Sequence, residues 1–332
     1  MASFHARPGT NASERPGARA FASLDELMRL KERARGFSFL PRQPVHSLLA
    51  GRHASRLRGR GLNFEELRHY AEGDDVRSID WLATARLGDP HVRVYSEERD
   101  RPVVLIVDQR STMFFGSRRS MKSVAAAEVA ALSAWRVTSL GDRVGAIVMT
   151  DEAISVVKPQ ARDRGAVRVI SDVARANLAL EHIRASPGAA GRLNEALAAA
   201  DRLLPHDGLV CLISDATGED DETARLATRL CAHNDMLAAY IHDAMEERLP
   251  EIGPAVFSSG AAQIEVDSSA GPLRDRFAQE RIRWRGRLAE LSRHRAIPVL
   301  PISTDRDVAL QLRELIGQRS AARIATATGR PS

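Results

Sequence analysis

The chain has 332 residues, of which 44% are hydrophobic and 27% charged, and its formal net charge is +5. These proportions are typical of a globular protein and exclude a fibrous or low-complexity chain. Lysine occurs only at positions 31, 122 and 158, so arginine supplies nearly all the positive charge. We attribute this skew to the coding composition of the genome rather than to nucleic-acid binding.

The cysteines and the hydropathy pattern predict a cytoplasmic protein. Cys211 and Cys231 lie in apolar contexts, which favours two reduced thiols over a disulfide or a metal site. No apolar stretch approaches the roughly 18 residues that a membrane span needs. The first residues also lack the hydrophobic centre of a signal peptide. We therefore expect no membrane span.

The N-terminal part begins with a predicted disordered tail over residues 1–20, which are rich in small residues, proline and arginine. A helix is predicted next, because Ser23 and Glu26 have the spacing of a capping box. From Arg33 to Asn63 the chain has arginines and no acidic residue. This stretch is either a basic surface for an anionic partner or, as we favour, a solvated loop or strand beside the acidic segment that follows.

The segment from Gly61 to Pro102 is dense in alternating charge. The run from His91 to Tyr95 alternates like a strand, and the apolar pair Trp81 and Leu82 is expected to anchor the segment in a core. Its candidate partner-binding residues are Asp74, Asp75, Arg77, Asp80 and Arg86. A network of ion pairs that only holds the segment together is an equally good interpretation.

The second half of the chain alternates between apolar strands and helical patterns. VVLIVD, from Val103 to Asp108, is an unbroken apolar run that ends in an acid, which predicts a strand buried on both faces. Further strands are predicted near residues 144–149, 153–157, 209–214, 236–242, 264–266 and 297–302, and helices near 117–140, 162–177, 191–204, 219–233, 271–294 and 306–316. This alternation predicts an α/β fold, a doubly wound, mainly parallel six-stranded sheet.

The predicted organisation is therefore a tail over 1–20, an N-terminal helix with a small charged, β-containing subdomain over 21–100, the sheet domain over 101–317, and a second disordered tail over 318–332. The charged segment GLNFEELRHYAEGDDVRSIDWLATARLGDPHVRVYSEE, followed by a strand that ends in Asp108, resembles the bacterial family called domain of unknown function 58. Members of that family join such a segment to a von Willebrand factor A-like domain.

This resemblance implies a von Willebrand factor A-like fold for residues 101–317. It also implies a role beside a MoxR-type AAA+ ATPase, as an adaptor or assembly factor. Other von Willebrand factor A proteins are further candidate partners. This step rests on the family and not on chemistry that can be read from single residues.

Two strand-end acids define the candidate site. Asp108 and Asp215 each follow a buried strand, and a sheet with strand order 3-2-1-4-5-6 brings both to one crevice. With the hydroxyls of Ser111 and Thr112 they are oxygen ligands of the kind Mg²⁺ prefers, which resembles the metal-ion-dependent adhesion site of von Willebrand factor A domains. Arg110, however, replaces the middle serine of the pattern Asp-x-Ser-x-Ser.

A guanidinium cannot ligate a cation. Arg110 is therefore predicted to pair with Asp108 or Asp215 and to take the metal's electrostatic place. A Mg²⁺ site remains the alternative, because two unpaired carboxylates at a strand end would be costly. No cofactor is firmly expected.

An acid after the first strand also suggests a Mg²⁺-dependent phosphohydrolase with Asp108 as nucleophile, but Arg110 occupies the place of the general acid/base. The motifs of P-loop ATPases and of Gly-x-Ser-x-Gly hydrolases are absent. We therefore predict a non-enzymatic protein-interaction module with a degenerate metal site. The phosphohydrolase is one alternative, and nucleic-acid binding through Arg33 to Arg60 ranks last.

Overall fold

The computed structural model describes residues 3–5, 18–34, 62–71, 74–97, 100–182, 191–247, 251, 253–258, 263–279 and 297–316. The strands are β1 (Ser3–His5), β2 (Leu62–His69), β3 (His91–Glu97), β4 (Pro102–Asp108), β5 (Arg143–Met149), β6 (Ile154–Ala161), β7 (Leu209–Ser214), β8 (Asp235–His242), β9 (Pro254–Ser258), β10 (Gln263–Asp267) and β11 (Val299–Ser303). The helices are α1 (Leu24–Arg29), α2 (Trp81–Leu87), α3 (Lys122–Ser139), α4 (Arg162–Ala179), α5 (Arg192–Leu203), α6 (Asp221–Cys231), α7 (Ala244–Glu247), α8 (271–279) and α9 (308–316).

A six-stranded sheet forms the centre of the larger compact unit, with the strand order β11-β8-β7-β4-β5-β6. All neighbouring strands are parallel except β5 and β6, which form an antiparallel pair. β4 lies in the middle, and residues 103–107 are at most 1% exposed, as expected for a strand covered on both faces. The predicted doubly wound, mainly parallel α/β fold is confirmed.

Two apolar layers cover the sheet because successive side chains of a strand point to opposite faces. Val103, Leu105 and Val107 pack in one layer with buried residues of α1, α3, α4 and α9. Val104 and Ile106 pack in the other layer with α5 and α6. The alanine-rich α3 is almost wholly buried, because its small side chains allow close packing on the sheet.

The N-terminal residues depart from the prediction in two ways. The described residues between 62 and 100 form one compact unit, the charged unit, while α1 belongs to the other unit, the sheet domain. The reason is that Leu27 of α1 is 1% exposed and lies in the main core of that domain. The prediction of disorder over 1–20 is wrong for β1, which pairs with β9. It is also wrong for Arg19, which forms an isolated parallel β-bridge with Ser120.

A second, three-stranded antiparallel sheet consists of β1, β9 and β10. It contains the strand predicted near residues 264–266. The predicted tail over 318–332, most of the basic stretch over 33–60, and the end of the predicted helix over 271–294 lie outside the described residues. Within the described part of the chain, no helix is both long enough and apolar enough to cross a membrane.

The charged unit contains an antiparallel pair of strands, β2 and β3, and the short helix α2. The backbone N–H of Asp80 donates to the carbonyl of His91 at 2.8 Å, and the His91 N–H donates to Thr84 Oγ1 at 3.1 Å. These bonds turn the Thr84 side of α2 toward β3. Trp81 and Leu82 are therefore each 69% exposed, and the predicted anchoring role of this pair is wrong.

Candidate functional site

The candidate site lies at the carboxyl edge of the six-stranded sheet. β4 and β7 are neighbours, so Asp108 at the end of β4 and Asp215 just after β7 come to the same edge. Asp108 is 0% exposed and Asp215 is 4% exposed. Two buried carboxylates need compensating partners, because an unpaired buried charge is strongly destabilising.

The first carboxylate is paired within its own loop. The Arg110 guanidinium binds Asp108 in a bidentate manner, with Nε 2.9 Å from Oδ1 and Nη2 2.7 Å from Oδ2. The Arg110 backbone N–H also donates to Oδ1 at 3.1 Å, and Ser214 Oγ donates to Oδ2 at 2.6 Å. Each carboxylate oxygen of Asp108 thus already accepts two hydrogen bonds from the protein.

Arg110 is itself buried, with 3% of its surface exposed. Burial lowers the pKa of Arg110, but the Asp108 carboxylate outweighs that effect and the pKa is raised overall. The guanidinium therefore stays charged. Its Nη2 also donates to the carbonyl of Thr217 at 3.0 Å, so Arg110 ties the loop after β4 to the loop after β7.

The second carboxylate, that of Asp215, is paired with Lys122, which is not among the predicted site residues. Lys122, the first residue of α3, is 0% exposed, and its Nζ lies 2.7 Å from Asp215 Oδ2 and 2.6 Å from Glu246 Oε1. Burial lowers the pKa of Lys122, but the two carboxylates outweigh it and raise the pKa overall. Burial likewise raises the pKa of Asp215, and Lys122 lowers it by more.

One signal in the sequence points to Lys122. The chain uses arginine almost everywhere, yet it has a lysine just before the run of alanines at positions 125–127, near the predicted start of a helix. A cation is unfavourable near a helix N-terminus, because the helix dipole is positive there. Such a placement needs a nearby anion, and Asp215 and Glu246 provide it.

Two further aspartates tie the surrounding loops together. Asp151, after β5, accepts the backbone N–H of Ser111. Asp243, after β8, accepts the N–H and the hydroxyl of Ser117, at 2.9 and 2.5 Å, and the hydroxyl of Thr304. Burial raises the pKa of Asp243, but these hydrogen bonds lower it by more. Both aspartates are at most 1% exposed and serve as structural acceptors.

The predicted metal ligands are brought near one another but do not fit a divalent cation. The oxygens of Asp108 accept from Arg110 and Ser214, and Asp215 accepts from Lys122 and from the N–H of Thr217 at 2.9 Å. The backbone of Ser111 is turned to Asp151, while Thr112 Oγ1 is buried without a hydrogen-bond partner among the described residues. No group of three or more His, Cys, Asp or Glu side chains in the described residues has the geometry of a metal site.

Two candidate nucleophiles of the sheet domain, Asp108 and Cys211, are both buried. Asp108 is 0% exposed and is engaged on both oxygens, so a phosphate ester has no open approach to it. Burial raises the pKa of the Cys211 thiol to about 12, which keeps that thiol protonated and unreactive.

The predicted partner-binding residues of the charged unit have separate roles. The Arg68 guanidinium holds Asp74 at 2.8 and 2.6 Å and lowers the pKa of that carboxyl. Asp75 and Asp80 cap the turn Val76–Ser78 and the helix α2. Arg77 and Arg86 are exposed.

At the start of the basic stretch, Arg33 binds Asp307 at 2.6 Å. The other arginines of that stretch lie outside the described residues. Its proposed role in nucleic-acid binding thus stays a prediction.

Comparison with known proteins gives a family match. A family model described as "Protein of unknown function DUF58" matches residues 66–286. Curated relatives include uncharacterized proteins of Mycobacterium tuberculosis and Mycobacterium bovis, each 29% identical over 267 residues, a match that covers 80% of this chain and 82% of the relative.

The solved structures that match this chain have low sequence identity and low TM-scores. BatB from Bacteroides thetaiotaomicron is 15% identical, with a TM-score of 0.36, and the match covers 67% of this chain and 99% of BatB. An aerotolerance-related membrane protein from Bacteroides fragilis is 14% identical, with a TM-score of 0.36, over 66% of this chain and 99% of that one. A von Willebrand factor type A protein from Catenulispora acidiphila is 16% identical, with a TM-score of 0.29, over 46% of this chain and 35% of that one.

Proposed function

This chain belongs to the family described as protein of unknown function DUF58, and on that premise we propose that it is a non-enzymatic, von Willebrand factor A-like interaction module that works without a bound metal ion. Its metal-ion-dependent adhesion site is degenerate in this proposal. The role is to bind another protein, and we assign it to the cytoplasm.

One observation carries the proposal: the bidentate pair of Arg110 with Asp108. Together with the Lys122–Asp215 pair, it supplies one protein cation for each strand-end carboxylate. A divalent cation at this edge would have to displace both cations from buried, hydrogen-bonded positions. Displacement would leave Arg110 buried without its paired carboxylate and Lys122 with Glu246 in place of two carboxylates, which is unfavourable for buried charges.

The proposed partner is a MoxR-type AAA+ ATPase, with this chain as an adaptor or assembly factor. The support is the family resemblance of the charged segment and of the strand that ends in Asp108. Since Asp108 is 0% exposed, the partner contacts the loops around it or the charged unit, and not this carboxylate.

The experiment is a pull-down of a MoxR-type ATPase of the source organism with the purified chain, at constant Mg²⁺ and nucleotide. The first variant combines Asp108→Asn with Arg110→Met, which removes the buried pair without leaving an unpaired charge. A metal-free interaction predicts capture equal to that of the wild type. Loss of capture by this folded variant would contradict a contact that is independent of the Asp108–Arg110 pair.

A second variant addresses the charged unit by combining Arg77→Glu with Arg86→Glu, both at exposed positions. Reduced capture by this variant would locate the contact on the charged unit, and unchanged capture would show that these two arginines are not part of it. Failure of the wild type itself to capture the ATPase would contradict the proposed partner.

A further inference from the structure

An N-terminal strap, residues 19–34, lies against the loop that joins the two ion pairs. This site loop, residues 109–121, runs from the residue after Asp108 to the residue before Lys122. The Arg19 N–H donates to the carbonyl of Arg119 at 2.9 Å, and the Met121 N–H donates to the carbonyl of Arg19 at 3.0 Å. The strap therefore holds the end of the site loop by backbone hydrogen bonds.

An aromatic contact holds the middle of the site loop. The ring of Phe21 in the strap lies 5.5 Å from the ring of Phe114, measured between centroids. The next residue, Phe115, accepts the backbone N–H of Lys122 at 2.7 Å. The strap thus touches the loop one residue away from the bond that starts α3 and positions Lys122.

A buried chain of hydrogen bonds connects the strap to the start of the site loop. The Ala22 N–H donates to Asn177 Oδ1 at 2.7 Å, and Asn177 Nδ2 donates to Gln109 Oε1 at 2.9 Å. Gln109 Nε2 in turn donates to the carbonyl of Ser123 at 3.0 Å. All four residues that these hydrogen bonds link are fully buried, and Gln109 stands between Asp108 and Arg110. Detachment of the strap leaves Asn177 with a buried acceptor that has lost its donor.

Only three residues of the strap are fully buried: Ala22, Leu27 and Ala34. Met28 and Leu30 pack partly buried against the core, and the ion pairs to the rest of the sheet domain are Arg19–Glu128, Lys31–Asp163 and Arg33–Asp307. Its helix α1 has six residues, too few to be stable alone in water. A segment with three fully buried residues opens at a lower free energy than a central strand such as β4, in which residues 103–107 are all buried.

From these contacts we propose that the strap is a regulatory element: it detaches as a unit while the sheet stays folded, and its release loosens the site loop that positions Arg110 and Lys122. The attached strap keeps the carboxyl edge closed. The released strap gives that edge a second, open state. This inference concerns the chain alone and does not depend on the identity of the partner.

Hydrogen exchange of the wild-type chain, monitored residue by residue, tests the proposal. Three amides report on the region: Met121 on the strap contact, Lys122 on the bond to Phe115, and Ser117 on the bond to Asp243. We expect these amides and those of the strap to share one opening free energy, well below that of the amides in β7 and β8. Site-loop amides that exchange only at the level of β7 and β8 would overturn the proposal.

A matched pair of variants adds a second measurement. Leu27→Ala removes a side chain that is 1% exposed, whereas Leu24→Ala makes the same change on the same helix at a residue that is 40% exposed. We expect Leu27→Ala to accelerate exchange in the strap and in the site loop by the same factor, at least about tenfold, and Leu24→Ala to leave both unchanged. Faster exchange of the strap with unchanged protection of the site loop would show that the strap frays alone and would refute the coupling.

Discussion

At the scale of single residues, the candidate site is a set of buried charges that neutralise one another. The pairing of Arg110 with Asp108 could be predicted from the sequence. Arg110 lies two positions from Asp108 and replaces the middle serine of the pattern Asp-x-Ser-x-Ser. Lys122 could not be placed in the same way, because 93 positions separate it from Asp215 and only the packing of α3 across the sheet brings them together. The same holds for Ser214 and Glu246, which look like ordinary polar residues until the loops are assembled.

The buried carboxyl of Asp243 makes the stability of the folded chain depend on pH. Asp243 has a lowered pKa in the folded chain, so below its ordinary value near 3.8 the unfolded chain binds more protons than the folded one. The stability that its hydrogen bonds contribute is therefore present above that pH and is lost as the pH falls.

We expect the free energy of unfolding of the wild type to fall more steeply between about pH 5 and pH 3 than that of Asp243→Asn, as measured by urea unfolding at each pH. The control is Asp275→Asn, the same change at an exposed position, which should keep the wild-type slope. Equal slopes for Asp243→Asn and the wild type would show that Asp243 has no part in the acid sensitivity.

At the scale of elements, the start of α3 shows what local patterns miss. The capping box of Ser23 and Glu26 was predicted and is present, because both its partners lie in one turn. α3, by contrast, begins at Lys122 and not near residue 117, because residues 114–121 are held by the strap and by Asp243. Such tertiary contacts leave no periodic signal in the sequence.

Gly116 makes this loop geometry possible. A Cβ atom on Gly116 would lie 2.3 Å from the carbonyl oxygen of Ser120, a backbone atom that cannot move without shifting the start of α3. We expect Gly116→Ala to lower the free energy of unfolding by about 2 kcal/mol. Gly271→Ala is the matched control, since nothing lies within 4 Å of its Cβ position, and it should change stability by less than about 0.5 kcal/mol. Equal effects of the two changes in urea unfolding would argue against a tightly packed loop.

At the scale of the whole molecule, the sequence predicted the sheet domain well and the N-terminal region less well. Buried strands such as β4 and β7 carry long apolar runs, so their existence and parallel arrangement could be read from the pattern. The strap could not, because residues 19–23 have no periodicity and their order comes from contacts with the site loop and with Asn177. The exposed position of Trp81 was also missed, since an apolar residue in a charged segment looks like an anchor.

If protein cations stand in the place of a metal ion at the carboxyl edge, calorimetric titration of Mn²⁺ should detect no binding site there in the wild type. We expect no saturable binding by the wild type, because Arg110 and Lys122 already hold Asp108 and Asp215. The variant with Arg110→Ser and Lys122→Ala frees both carboxylates and is expected to bind one Mn²⁺. Saturable binding of Mn²⁺ by the wild type, abolished by Asp108→Asn, would contradict the account.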